Sequence, residues 1–257
     1  MISLKEKLHK NELTIGSWIT LGHPAIAEIM VQAGFNWLTI DMEHSAIDLD
    51  EAQELMQVIE LSGCTPLVRV GENNPYLIKR VMDAGAGGVI VPMVNSRADA
   101  IRAVEAVKYP PTGKRGVGLG RAQGYGLTFE KYKKWLAEES VVIAQIEHIK
   151  AVQNLPEILA VKGIDGFIVG PYDLSGSLGI PGQFENVKVK TALAQILKIS
   201  KKMNKTAGFH VVSPDPTLFK QRFNEGYRFL AFGLDTLFLG ENLQRSMKAL
   251  KHENTRT

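Results

Sequence analysis

The chain has 257 residues, 45% of them hydrophobic, with 30 basic and 27 acidic side chains and a formal net charge of +3. So even a balance, with no dense block of lysines, argues against a nucleic-acid or membrane-surface partner. The single cysteine, Cys64, excludes an intrachain disulfide and an all-cysteine zinc site, and no apolar run approaches the roughly 20 residues that span a bilayer, so a soluble cytoplasmic protein is expected.

In chain order, the amphipathic opening SLKEKLHKN lacks a signal-peptide core and reads as a short helix. Short β-branched runs then alternate with segments of helical period. The strands are expected at LTIGSWIT, WLTIDME, TPLVRVG, GGVIVPMV, VVIAQIE, GFIVGP, TAGFHVV and FLAFGLD. Between them lie amphipathic stretches such as DLDEAQELMQVIELSG and VKVKTALAQILKISKKM, and ENLQRSMKALKH closes the series. Eight near-continuous apolar strands, each followed by a helix, predict a parallel sheet covered by helices. A closed (β/α)8 TIM barrel of about 250 residues accounts for residues 1–257 as one domain, with the opening helix plugging or flanking its bottom.

One connection is oversized. PPTGKRGVGLGRAQGYGLTFEKYKKWLAEES separates the fourth helix from the fifth strand. Its glycines do not directly follow a strand and no Walker lysine is present, so it is not a phosphate cradle. A loop that begins after a helix starts on the bottom face; it either stays there or bridges to a neighbouring subunit, with Arg115 and Arg121 as its anchors.

Chemistry gathers where the strands end. VVIAQIE finishes on Glu147, and DGFIVGPYD on Asp173 after one intervening helix. Acids at the carboxyl ends of successive barrel strands share one mouth, and two carboxylates with open positions suit hard Mg²⁺ or Mn²⁺ rather than structural zinc. The second strand ends in Asp41, Glu43 and His44, where a histidine with a carboxylate three residues earlier has the makings of an oriented general base. Arg69 ends an apolar strand and needs an anion, either a substrate carboxylate or an internal partner such as Asp41 or Glu43. Gln145 shares the Glu147 face. Gly170 and Pro171 form a turn that can bring backbone groups to a ligand. Trp18 and His23 lie near the first strand end as possible walls of the mouth, and His210 and Cys64 read as structural.

IDMEH, LVRV, GGVIVPMV, the AQIE run and IDGFIVGPYDLSGSLG together resemble the HpcH/HpaI family of class II pyruvate aldolases, over nearly the whole chain from roughly Gly16 to Asp235. The resemblance implies a barrel of the phosphoenolpyruvate/pyruvate type. Glu147 and Asp173 match its divalent-metal carboxylates, the metal being Mg²⁺ or Mn²⁺, or Co²⁺. His44 matches its acid/base histidine and Asp41 the carboxylate that orients it. Arg69 matches the arginine on the pyruvoyl oxygens, with Gln145 beside it. The implied reaction is cleavage or formation of a 4-hydroxy-2-oxo acid through a pyruvate enolate and an aldehyde. A homo-oligomer is implied as well, commonly a hexamer with helix exchange at the C-terminus. GLGRAQGYG departs from the family's ARA-type motif, which leaves the aldehyde open. The same carboxylates also serve a Claisen-type condensing enzyme that uses oxaloacetate and acetyl-CoA.

Overall fold

A computed structural model describes residues 2–253. Eight strands, β1 (Thr14–Ile19), β2 (Trp37–Asp41), β3 (Thr65–Arg69), β4 (Gly88–Val91), β5 (Val141–Ile146), β6 (Gly166–Val169), β7 (Thr206–Val211) and β8 (Phe229–Leu234), form a closed barrel in sequence order. All neighbours are parallel, and β8 returns to pair with β1. Nearly every strand residue is buried, as expected when one face meets the barrel interior and the other a layer of helices.

The helices are α1 (Leu4–His9), which lies outside that layer, and α2 (Pro24–Gln32), α3 (Leu49–Leu61), α4 (Pro75–Ala84), α5 (Arg97–Val107), α6 (Phe129–Glu138), α7 (Ile149–Gln153), α8 (Leu155–Leu159), α9 (Pro171–Ser177), α10 (Val187–Met203), α11 (Pro216–Glu225) and α12 (Asp235–Glu253). The helical-period stretch between the fifth and sixth strands, AVQNLPEILAVKG, forms two short helices rather than one, α7 and α8, meeting at Asn154. Pro156 explains the break, since it has no N–H to continue the α7 ladder.

Alternate strand residues fill the interior. Trp18, Trp37, Leu67, Ile90, Ile143, Ile168 and Phe229 form one buried cluster, and α1 closes its lower end by adding Leu4 and Leu8. The opening helix is therefore a plug. Gly16 makes close packing of this cluster possible: a Cβ there would lie 2.1 Å from the Trp37 ring, which stacks on Phe229 at 4.2 Å between centroids. Polar contacts pin the plug. Lys5 Nζ lies 3.4 Å and His9 Nε2 3.2 Å from Asp165 Oδ1, and Thr206 Oγ1 donates to the Leu8 carbonyl.

The long connection stays at the bottom of its own barrel. The Arg115 side chain is fully buried and donates to the Val107 carbonyl, Asp83 and the hydroxyls of Tyr109 and Tyr132. Arg121 donates to the Ala84 carbonyl at 3.1 Å and to Glu60 at 2.5 Å, so Arg121 binds the carboxyl ends of α3 and α4 and Arg115 those of α4 and α5. A cavity of about 560 Å³ opens between this loop and the strand starts, lined by Glu60, Cys64, Arg121 and Trp135 among others. It lies at the opposite end from the strand-end acids.

Candidate active site

The strands stop slightly before the acids they were expected to carry. β2 ends at Asp41, so Glu43 and His44 lie in the following turn; Glu147 follows β5; and Asp173 sits in the first turn of α9. All four still lie at the carboxyl end of the barrel, where this fold presents its variable loops.

At the centre stands Arg69, largely buried. Its Nε donates to Asp41 Oδ1 at 2.9 Å and its Nη2 to Asp41 Oδ2 at 2.6 Å. Nη1 lies 3.3 Å from Glu43 Oε2, and the guanidinium carbon is 5.2 Å from the centroid of the Trp18 ring. Both acids named as internal partners are therefore engaged. Burial alone would raise the Asp41 pKa, but the hydrogen bonds and charge of Arg69 outweigh it and hold the carboxyl below its usual range. Asp41 occupies the Nε–Nη2 edge of the fork and Glu43 stands at Nη1, so a further anion would share the remaining N–H groups of Nη1 and Nη2 with Glu43.

The expected pairing of the Asp41 carboxylate with the His44 imidazole is not formed. Asp41 Oδ1 instead accepts the backbone N–H groups of Glu43 at 3.0 Å and His44 at 3.2 Å, with both its oxygens already on Arg69. The His44 side chain is 63% exposed, and its Nε2 lies 4.0 Å from Glu43 Oε2. His44 is at the rim of the mouth, oriented by its backbone rather than by a carboxylate on its ring.

Glu147 is buried and tightly held. Its Oε1 accepts the Met93 N–H at 2.6 Å and its Oε2 accepts from the Gln145 amide. Met93 reaches this position with φ of 51°, a left-handed conformation unusual for a methionine. Burial raises the Glu147 pKa, the Gln145 and Met93 bonds oppose this, and the nearby charge of Asp173 adds to the rise. Glu43 is pushed up to about 7, first by burial and then, against the pull of Arg69, by the charges of Glu147, Asp41 and Asp173. Four acids thus share one mouth with one guanidinium.

The sequence placed Glu43 at the end of the second strand and gave it a role only as a partner for Arg69; its place in this acid cluster depends on the turn after β2, which sequence periodicity does not describe. Met93 was missed entirely, and its contribution is a backbone N–H that any residue type carries.

Gly170 and Pro171 act differently from expectation. The Gly170 N–H is spent on the Ile146 carbonyl at 3.3 Å and Pro171 has none, so neither supplies a backbone donor to a ligand. Gly170 contributes by lacking a side chain, because a Cβ there would lie 3.1 Å from Glu147 Cβ and 3.2 Å from Glu147 Oε2. His148 and His23 cap α7 and α2, each accepting a backbone N–H on Nδ1, which removes both from the mouth chemistry.

A divalent cation fits this donor set. Carboxylates that raise one another's proton affinity in a partly dry mouth are the acids a cation would relieve. Among the described residues no three His, Cys, Asp or Glu side chains are grouped to hold a metal by themselves. Glu147 and Asp173 would be the protein's share, with water or substrate oxygens supplying the rest.

A (β/α)8 barrel with a clamped guanidinium among acids at its carboxyl face has the form of an enzyme site for small molecules. The family model described as HpcH/HpaI aldolase/citrate lyase matches residues 14–240, and the chain belongs to that family. It is 35% identical over 249 residues to the 2-keto-3-deoxy-L-rhamnonate aldolase of Escherichia coli strain K12, covering 96% of this chain and 92% of that protein. A HpcH/HpaI aldolase/citrate lyase family protein from Burkholderia cenocepacia superimposes with a TM-score of 0.92 at 31% identity, over 98% of this chain and all of that one. Citrate synthase SbnG superimposes at 0.87 with 26% identity, over 99% of this chain and 100% of its own. The aldolase-type lyase on a closed barrel expected from the sequence agrees with these relatives. No helix among the described residues is long and apolar enough to cross a membrane.

Proposed function

We propose that the protein is a divalent-metal-dependent aldolase that cleaves or forms 4-hydroxy-2-oxo acids through a pyruvate enolate. The observation that carries this reading is the Arg69 guanidinium, fixed on one edge by Asp41, with Nη1 3.3 Å from Glu43 and the Glu147 and Asp173 carboxylates in the same mouth. The N–H groups that Asp41 leaves over suit the carboxylate and enolate oxygens of an oxo-acid, where a positioned donor counts most as charge develops. Glu147 and Asp173 would hold Mg²⁺ or Mn²⁺, with Co²⁺ as a further candidate. When bound, such a cation supplies Lewis-acid polarisation of the 2-oxo group.

His44, at the rim, takes the proton of the 4-hydroxyl as the C3–C4 bond breaks. The bonding electrons pass to the enolate beside Arg69 and the aldehyde departs. A proton returned to C3 then gives pyruvate. Gln145 fixes Glu147 and borders the same ligand. The natural aldehyde is a sugar-acid fragment by analogy with the rhamnonate aldolase relative.

We read the chain as one catalytic domain in a homo-oligomer, hexameric by its family resemblance. Leu239, Leu243, Met247 and Leu250 support this: they recur along α12 at three- and four-residue spacing, and each is more than half exposed. A cytoplasmic setting suits Cys64, a buried thiol pushed up to about 12 by its burial.

The test is exchange of the pyruvate methyl protons in D2O, followed by NMR with Mg²⁺ or Mn²⁺ and again with EDTA. Metal-dependent exchange is the expected result. Absence of exchange with any metal, together with citrate formed from oxaloacetate and acetyl-CoA, would overturn the aldolase reading in favour of the condensing activity named for SbnG.

A further inference from the structure

His210 has no part in the reaction outlined above, yet it lies in the barrel interior at the level of the mouth. It is next to last on β7, paired in register with Ala231, and 8% exposed. Its Nε2 lies 3.1 Å from the Gly233 carbonyl. A carbonyl only accepts, so the proton is on Nε2. Ser17 Oγ donates to the same carbonyl at 3.3 Å, which ties the end of β8 to β1.

The other side of the imidazole packs edge-to-face against Trp18, with ring centroids 5.0 Å apart at 62°. Trp18 itself is 3% exposed and carries the Arg69 guanidinium 5.2 Å from its ring centroid. Asp41 fixes Arg69 within the plane of its fork, and two hydrogen bonds along one edge still allow rotation about that edge. The Trp18 face opposes that rotation, provided the indole itself is held. Trp37 meets Trp18 at 6.3 Å from one side and His210 at 5.0 Å from another. Both braces are moored: Trp37 Nε1 donates to Thr14 Oγ1 at 3.2 Å at the start of β1, and His210 to the Gly233 carbonyl on β8, at the mouth end.

We propose that His210 is a positioning residue for Arg69, acting through Trp18: the imidazole, moored to the Gly233 carbonyl, holds the indole on which the guanidinium rests. Burial, with the charge of Arg69 adding to it, pushes the His210 pKa down to about 4, so the brace is neutral and adds no charge against the guanidinium. This inference rests on the reading of Arg69 as the oxo-acid clamp.

The probe is oxalate, a planar dianion that fits the clamp, titrated calorimetrically into the protein in the presence of Mg²⁺, with Mg²⁺ affinity measured separately. His210→Leu removes ring and mooring; His210→Phe keeps a ring and the volume should the leucine variant fail to fold. Each is expected to weaken oxalate binding by about tenfold, as loss of a desolvated cation–π arrangement would, with Mg²⁺ affinity unchanged. In an Arg69→Lys background the same changes are expected to cost less than about twofold, because a residue acting through Arg69 has nothing left to position. If both His210 variants bind oxalate like the wild type while Arg69→Lys does not, the positioning role is wrong and the clamp stands. If the His210 losses persist undiminished in the Arg69→Lys background, His210 acts by another route and the proposal fails. If Arg69→Lys itself binds oxalate normally, the clamp reading fails and takes this inference with it.

Discussion

Asp41 and Arg69 are paired residues of adjacent strands, in direct register across β2 and β3, and their side chains meet through two charge-assisted hydrogen bonds at 2.9 and 2.6 Å. The register alone brings the two Cα atoms together, and the parallel pleat turns both side chains into the mouth. The guanidinium is aimed before any substrate arrives. Asp41→Asn keeps the shape and one acceptor but loses the charge. Turnover is expected to fall by about a hundredfold, the scale of a modest misplacement of a substrate-holding group, with the melting temperature little changed. Steady-state kinetics within a few-fold of wild type would show that Arg69 needs no such aim.

The acids of the mouth also depend on a missing side chain. Gly170 has φ of −91° and ψ of 99°, which alanine adopts without strain, so Gly170→Ala tests only the space beside Glu147. The added methyl must displace the carboxylate. Mg²⁺ affinity is expected to fall by about tenfold, as for loss of an outer contact that orients a ligand. Unchanged affinity by calorimetry would remove Glu147 from the metal site.

Barrel closure has its own polar clamp. Asp235 is buried and accepts from the backbone N–H groups of Thr20 and Leu21, both at 2.8 Å, and from the Thr20 hydroxyl at 2.6 Å. Asp235→Ala leaves the N–H groups of Thr20, Leu21 and Thr236 without this partner. We expect a loss of about 3 kcal/mol, lowering Tm by roughly 6–12 °C in a chain of this size. A shift under about 2 °C would mean that water replaces the carboxylate at little cost.

Lys108 gives a pH signature. Its ammonium, buried at the α6–β5 junction, donates to the Leu136 carbonyl and to the Ser140 carbonyl and hydroxyl. Burial first, then the charge of Lys5, pushes its pKa down from 10.5 to about 8. Between those values the unfolded chain keeps a proton that the folded chain has released. Its contribution to stability therefore grows from pH 8 to 10.5, by up to about 3 kcal/mol, and is lost as pH falls through 8. Cys64, raised to about 12, works the opposite way above pH 9, so the informative quantity is the difference from Lys108→Met. Denaturant titrations across this range should show that variant gaining less with pH than the wild type; parallel curves would refute the shift.

Much of this was legible in the residues. Eight apolar runs gave eight strands because a sheet buried on both faces tolerates little else, and the plugging helix followed from an amphipathic opening. Glu147 and Arg69 were found because strand ends are countable. The His44–Asp41 dyad misled because sequence separation says which groups can meet, while the competition for Asp41 was decided by Arg69, 28 residues away. Met93 left no signal, since its contribution is a backbone N–H set by one unusual φ. The split at Asn154 had a visible cause in Pro156 that the apolar period concealed.

The pairing of β8 with β1 carries a lesson for synthesis. During translation β1 leaves the ribosome long before its partner, and the edge that Asp235 and β8 eventually cover stays open throughout elongation. A nascent chain stalled before Phe229 would expose the unpaired backbone of Thr14–Ile19, a template for adhesion between unfinished chains. For this barrel the last strand made is the one that protects the first.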